Sequence, residues 1–108
     1  MLFSIFKELG FGYQEKYYQR AFEELLIKNK LAYKRELYCP IKFNEKIIGK
    51  YYLDFLIENK IIVELKISNE MYQKHFQQVY GYLKLNNIKV GLLALITPKK
   101  IKINRIVN

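Results

Sequence analysis

The chain has 108 residues, 51% hydrophobic and 16% aromatic, with 19 Lys+Arg against 10 Asp+Glu for a net charge of +9. That length has room for one domain and not two, and the apolar fraction excludes a disordered segment. A single cysteine excludes an internal disulfide, and the longest uncharged apolar run, VGLLALI, is too short to cross a bilayer.

The opening MLFSIFKELG has neither the length nor the basic start of a signal peptide, so a cytoplasmic chain with no membrane partner is expected. The positive balance points to a polyanionic partner, nucleic acid before membrane, although charge of this sign also serves solubility. In chain order, Gly10 and Gly12 shape the entry to a helix from about Tyr13 to Asn29. Its apolar residues Tyr18, Ala21, Phe22, Leu25 and Leu26 recur at helical spacing. AYKRELY then reads as a strand ending near Pro40, where a missing N–H discourages pairing. FNEKI reads as a turn with Asn44 at positive φ.

A hairpin follows, with strands from about Ile47 to Ile57 and from Ile61 to Ile67. Ser68 or Asn69 is placed to cap a second helix, from about Glu70 to Leu85, which ends at Asn86-Asn87. IKVGLLALI reads as a buried strand and KIKINRIV as a more exposed one. The order α-β-β-β-α-β-β implies an α/β or α+β fold. An antiparallel meander leads into a helical crossover, and the mixed sheet is flanked by helices.

The hairpin YYLDFLIENKIIVELK carries three charges among its apolar residues: Asp54, Glu64 and Lys66. Tyr51, Leu53, Phe55 and Ile57 alternate onto one face of the first strand, and Ile61, Val63, Leu65 and Ile67 onto one face of the second. Burying both sets together calls for the three-residue loop Glu58-Asn59-Lys60, and that register sets Asp54 opposite Glu64. Such positions have Cβ atoms roughly 4.5–5.5 Å apart, where like charges repel. Lys66, diagonal to Asp54, is one way to relieve the repulsion. A divalent cation is the other, since Mg²⁺ is held by one or two carboxylates with waters and phosphate oxygens. For a single charged strand residue the exposed, salt-bridged face is the commoner arrangement.

Glu15 stands at the border of the first helix's apolar stripe. On the second helix Tyr72, Phe76, Val79 and Leu83 form the stripe, and His75, Gln78 and Tyr82 form a polar flank. Taken alone, Glu15 reads as a border residue, the flank as a solvated edge and His75 as structural rather than a metal ligand.

In this order Asp54, Glu64-Leu65-Lys66 and Gln78-x-x-x-Tyr82 resemble the PD-(D/E)XK nuclease superfamily, the last matching the Q-x-x-x-Y element of its RecB-like branch. Gly12-x-x-Glu15-x-x-Tyr18 is similar to the signature of the GxxExxY family within it. The likeness spans about Leu9 to Val107, with two departures: a shortened opening helix, and Leu53 where the superfamily has proline.

The resemblance implies a single restriction-endonuclease-like domain over residues 1–108 and a nuclease that hydrolyses nucleic acid, with DNA as the expected substrate. It implies that Asp54 and Glu64 hold Mg²⁺ or Mn²⁺ with the Leu65 backbone carbonyl, that Glu15 assists, and that Lys66 orients the attacking water. Gln78, Tyr82, Tyr18 and His75 would position the site or contact nucleic acid. So small a chain leaves substrate choice open to a homodimer or a partner protein. The alternative is a non-catalytic nucleic-acid-binding or protein-interaction module that keeps the fold.

Overall fold

The computed structural model describes residues 1–67 and 72–108. Its elements are α1 (Leu2–Leu9), α2 (Glu15–Lys28), β1 (Tyr33–Phe43), β2 (Lys46–Ile57), β3 (Ile61–Ile67), α3 (Tyr72–Asn86), β4 (Val90–Ile96) and β5 (Ile101–Val107). One sheet runs in the order β1-β2-β3-β4-β5. β1, β2 and β3 form an antiparallel meander, β3 and β4 are parallel across the α3 crossover, and β5 returns antiparallel. The meander and the crossover are those the sequence implies.

Three expected element bounds need correction. An additional helix, α1, precedes the others. Leu2, Ile5, Phe6 and Leu9 recur at helical spacing and pack on the core, and Gly10 ends the helix at φ 70. The next helix consequently starts at Glu15 and not Tyr13, with Gly12 at φ 122 in the entry. β1 does not stop at Pro40 but continues to Phe43, with Pro40 paired to Lys50. It is an edge strand, where a proline's missing N–H can face solvent.

Asn44 does take a positive φ of 49, and Glu45 joins it at 64, which gives the two left-handed residues that a tight hairpin turn needs. The expected cap at Ser68 or Asn69 and the start at Glu70 lie outside the described residues.

The centre of the sheet is buried on both sides. α1 and α2 cover one face, where Tyr18, Phe22 and Leu26 pack on Phe55, Val63, Leu65, Ala94 and Ile96. Phe22 and Phe55 meet edge to face at 5.0 Å between ring centroids. On the other face Val79 and Leu83 of α3 pack on Leu53, Leu56, Ile62, Leu93 and Ile106. Each such fully buried side chain contributes roughly 1.5–3 kcal/mol.

The expected single apolar face of β2 is not found. Tyr51 and Leu53 pack with α3, whereas Phe55 and Ile57 pack with α1 and α2. Alternation therefore breaks at Asp54. On β1 the residue between the pairs Arg35↔Phe55 and Leu37↔Leu53 is Glu36, which sits at φ 53, a conformation that turns the strand over locally. The break lets β2 serve both cores and leaves Asp54 at the switch.

Candidate active site

The β2–β3 ladder covers Phe55↔Val63, Leu56↔Ile62 and Ile57↔Ile61 and then ends, while β3 stays paired to β4 as far as Ile67↔Ile96. Beyond Phe55↔Val63 the two strands therefore part into a fork. Asp54 and Glu64 stand one step past that last pair, as the register Ile57↔Ile61 requires.

Main-chain donors left over by the parting are taken by carboxylates. Leu65 N–H donates to Asp54 Oδ2 at 2.8 Å, and Ile67 N–H donates to Glu15 Oε1 at 3.1 Å. Asp54 N–H donates to Glu64 Oε1 at 2.8 Å. These bonds replace ladder bonds, which is why buried backbone there remains satisfied. In an extended strand a residue's N–H and C=O lie on the same edge, so the Leu65 carbonyl faces the fork too.

Lys66 Nζ lies 3.5 Å from Glu15 Oε2 and 3.8 Å from Glu64 Oε2. One lysine thus spans an acid from the sheet and an acid from α2. Gln19, one helical turn after Glu15, donates through Nε2 to Asp54 Oδ1 at 3.1 Å.

On the α3 side His75 is half-buried against Gln78 and feels the charges of Lys66 and Glu15, and its pKa is lowered by burial and then by Lys66. The Gln78 carbonyl accepts the Tyr51 hydroxyl at 3.0 Å. Tyr82 sits beside Cys39, its phenol pushed up by burial, and among the described residues it makes no hydrogen bond to the acids. Tyr18 is fully buried, with its hydroxyl donating to the Gly10 carbonyl and accepting Tyr13 N–H. It fastens the loop that leads into Glu15 and has no surface to offer a ligand.

The model of the PD-(D/E)XK nuclease superfamily matches residues 1–106. The chain belongs to that superfamily. Its fold is also similar to the crystal structure of SSO0001, with a TM-score of 0.65 and 26% identity over 87% of this chain and 50% of that one. The chain thus spans about half the length of that protein. No curated protein matches it.

In this PD-(D/E)XK domain the fork is short of positive charge. Glu64 is the buried charged residue among those described, 1% exposed. Burial first, and then the neighbouring Asp54, push its carboxyl up to about 8, against the lowering by Lys66. Asp54 is raised as well, by burial, against the lowering by the Leu65 N–H and Lys66. Lys66 is itself raised. Burial lowers its pKa, but the attraction of Glu64, Glu15 and Asp54 outweighs that, so it remains a cation. A single lysine is thus shared among three acids, and the register's choice between a salt bridge and a cation stays open.

A hard divalent cation fits what remains. Each of the four oxygens of Asp54 and Glu64 is engaged once, by Gln19, Leu65, Asp54 N–H or Lys66. A carboxylate has about four lone-pair sites, so acceptor capacity is left over beside the Leu65 carbonyl. Among the described residues no three His, Cys, Asp or Glu side chains are gathered as a closed metal cluster.

Sequence reasoning did not single out Gln19. The available signal was its position four residues after Glu15, which places both on one helix face.

Proposed function

We propose that the chain is a metal-dependent nuclease that hydrolyses phosphodiester bonds of DNA, using Mg²⁺ or Mn²⁺. The observation that carries this reading is the acid pair at the fork of β2 and β3, half-buried Asp54 and buried Glu64, with Lys66 beside it, in a PD-(D/E)XK domain. Asp54, Glu64 and the Leu65 carbonyl are the groups that would hold the ion. Such an ion lowers the pKa of bound water from about 15.7 toward 7 and stabilises phosphoryl charge.

The chain's own residues account for the rest. Lys66, kept protonated by its acid neighbours, donates to the attacking water and offsets charge at the scissile phosphate. Glu15 anchors Lys66 and the Ile67 amide, and Gln19 orients Asp54. His75 and Gln78 border the fork from α3, Tyr82 supports that helix, and Tyr18 positions the approach to Glu15. Attack is in line, with no covalent intermediate on the protein.

Within the superfamily, Gly12, Glu15 and Tyr18 support the GxxExxY assignment, and Gln78 with Tyr82 supports the RecB-like branch. The reading carries with it a cytoplasmic location and substrate choice through a homodimer or partner protein. No helix among the described residues is long and apolar enough to cross a membrane.

The test is Mg²⁺- or Mn²⁺-dependent cleavage of single-stranded, duplex and branched DNA by the wild-type chain and Asp54→Ala. Cleavage by the wild type alone is expected, and equal cleavage by both would sink the assignment. Every oxygen of Asp54 and Glu64 already has a partner within the fork, which favours one other reading, a non-catalytic nucleic-acid-binding module. Salt-sensitive DNA binding with no cleavage under either metal would select it.

A further inference from the structure

The β1–β2 hairpin runs past the point where β2 leaves β3 and forms one wall of the fork. Its two faces differ. Toward α3, Cys39 and Leu53 are buried and Tyr51 is tied to the Gln78 carbonyl. The opposite face is open. Tyr38 and Tyr52 are cross-strand partners, each 50% exposed, with ring centroids 5.9 Å apart. Lys50 Nζ lies 5.8 Å from the centre of the Tyr52 ring. Farther out, the hairpin continues with exposed Phe43 and Lys46, themselves a pair.

We infer that this open face is a stacking platform for a single strand of DNA, with Tyr38 and Tyr52 taking base faces and Lys50 taking a phosphate. The inference rests on the nuclease reading for its direction, since the platform ends beside the site. Tyr52 precedes Asp54 by two residues, which along an extended strand is about 7 Å. A strand lying on the rings therefore ends beside the fork, at the residue where β2 changes face.

Exposed aromatic rings interleaved with cations are the chemistry of single-strand binding, because unpaired bases offer their π-faces and the backbone its charge. Duplex DNA offers phosphates but no free base faces, so it would engage the lysines and leave the rings idle. A second copy of this chain is the other occupant such a face could take. Residues 38–52 carry Lys42, Lys46 and Lys50 against Glu45 alone, so packing two copies face to face would bring like charges together.

Both tyrosines are half exposed, and among the described residues their hydroxyls have no buried polar partner, so their removal leaves the fold standing. The wild-type chain, Tyr38→Ala/Tyr52→Ala, Tyr38→Phe/Tyr52→Phe and Lys50→Ala are compared in EDTA. The probe is a fluorescent oligothymidine of about 12 nucleotides, within the span such platforms occupy. Oligouridine and a duplex of equal length serve as controls.

The double alanine variant is expected to lose about 10-fold or more in oligothymidine affinity and less than about twofold on duplex, consistent with stacking energies per base. The double phenylalanine variant keeps the rings and stays within about threefold of wild type. Lys50→Ala lowers the salt slope by about one on either probe. Equal losses on single strand and duplex would overturn the platform. So would no loss, tighter binding to oligouridine, or a change of oligomeric state in place of DNA affinity. Single-strand binding through the rings without cleavage by the wild type would sink the nuclease reading and leave the platform. Cleavage indifferent to the ring variants would do the reverse.

Discussion

The backbone N–H of Asp54 donates to Glu64 Oε1 at 2.8 Å, so the second acid of the site is held by the main chain of the first. The contact stands one step past the last β2–β3 pair, where Asp54 also has no β1 partner between Arg35↔Phe55 and Leu37↔Leu53. Fold and site are thus one feature. A strand that parts from its neighbour leaves donors exposed, and the residues that satisfy them are the ones available for chemistry.

The pH dependence of stability follows from Glu64. Its carboxyl moves from 4.5 to about 8 on folding, chiefly through burial, so the folded chain binds that proton more tightly than the unfolded chain. The resulting stabilisation is complete below about pH 4.5 and is lost as pH rises through 8. Glu64→Gln keeps an oxygen for the Asp54 amide and removes the titration. In EDTA, urea denaturation should show the variant gaining on wild type between pH 5 and 8.5, by a few kcal/mol at most. A difference that does not change with pH would refute this.

Metal affinity should move the opposite way. Cation binding requires both acids deprotonated, so the affinity of the wild-type chain for Mn²⁺ should rise between pH 6 and 8.5, with protons released on binding. Calorimetry in two buffers of different ionisation enthalpy measures that release. Binding with no proton release at pH 6.5 would show that the pair is already ionised.

Lys66 is shared between Glu15 and Glu64 at 3.5 and 3.8 Å and stays charged. Lys66→Met should lower single-turnover cleavage under saturating Mn²⁺ by about 10²-fold, the scale for losing one aligned charged donor in a site. It should also destabilise the metal-free chain at pH 8, because three acids lose their common cation. Lys66→Arg should restore that stability, and recovery of full cleavage by arginine would show that charge alone, not position, is what the site needs.

Much of this was legible in the chain. The hairpin register, the loop Glu58-Asn59-Lys60, the crossover and the positive φ of Asn44 all follow from alternation and turn chemistry. The helix at Leu2–Leu9 was legible too, in the spacing of Leu2, Ile5, Phe6 and Leu9, but so short an amphipathic run gains its stability only from the core it covers. Two features were not. The face switch at Asp54 depends on Glu36 taking a left-handed conformation, which no propensity of glutamate announces. The bond from Gln19 to Asp54 depends on how α2 crosses the sheet, a packing angle that sequence spacing leaves free.

Gln19 should act through Asp54. Without its amide, Asp54 Oδ1 loses its side-chain donor while Oδ2 keeps Leu65. Partners of metal-ligating carboxylates are worth about 10–100-fold in affinity or activity. Gln19→Ala should weaken Mn²⁺ binding by that factor and change stability by no more than about 1 kcal/mol. Equal Mn²⁺ affinity in the variant would remove Gln19 from the site.

Gly91 sets how closely α3 approaches the sheet. A Cβ there would lie 2.7 Å from Val79 Cγ1 and 3.5 Å from Leu83 Cδ1, both on fully buried residues. The branched Val79 cannot swing clear inside a packed core, so Gly91→Ala should cost about 1–3 kcal/mol by overpacking. Val79→Ala alone is destabilising by loss of contacts, yet it vacates the space that the new methyl group needs. The double variant should therefore be more stable than the sum of the singles predicts, by about 0.5–3 kcal/mol. Chemical denaturation of all four chains measures the coupling, and strict additivity would mean that α3 moves away as a unit and does not clash at Val79. Because α3 also carries His75 and Gln78, the same four chains assayed for cleavage separate a site displaced by the helix from one that is merely less stable.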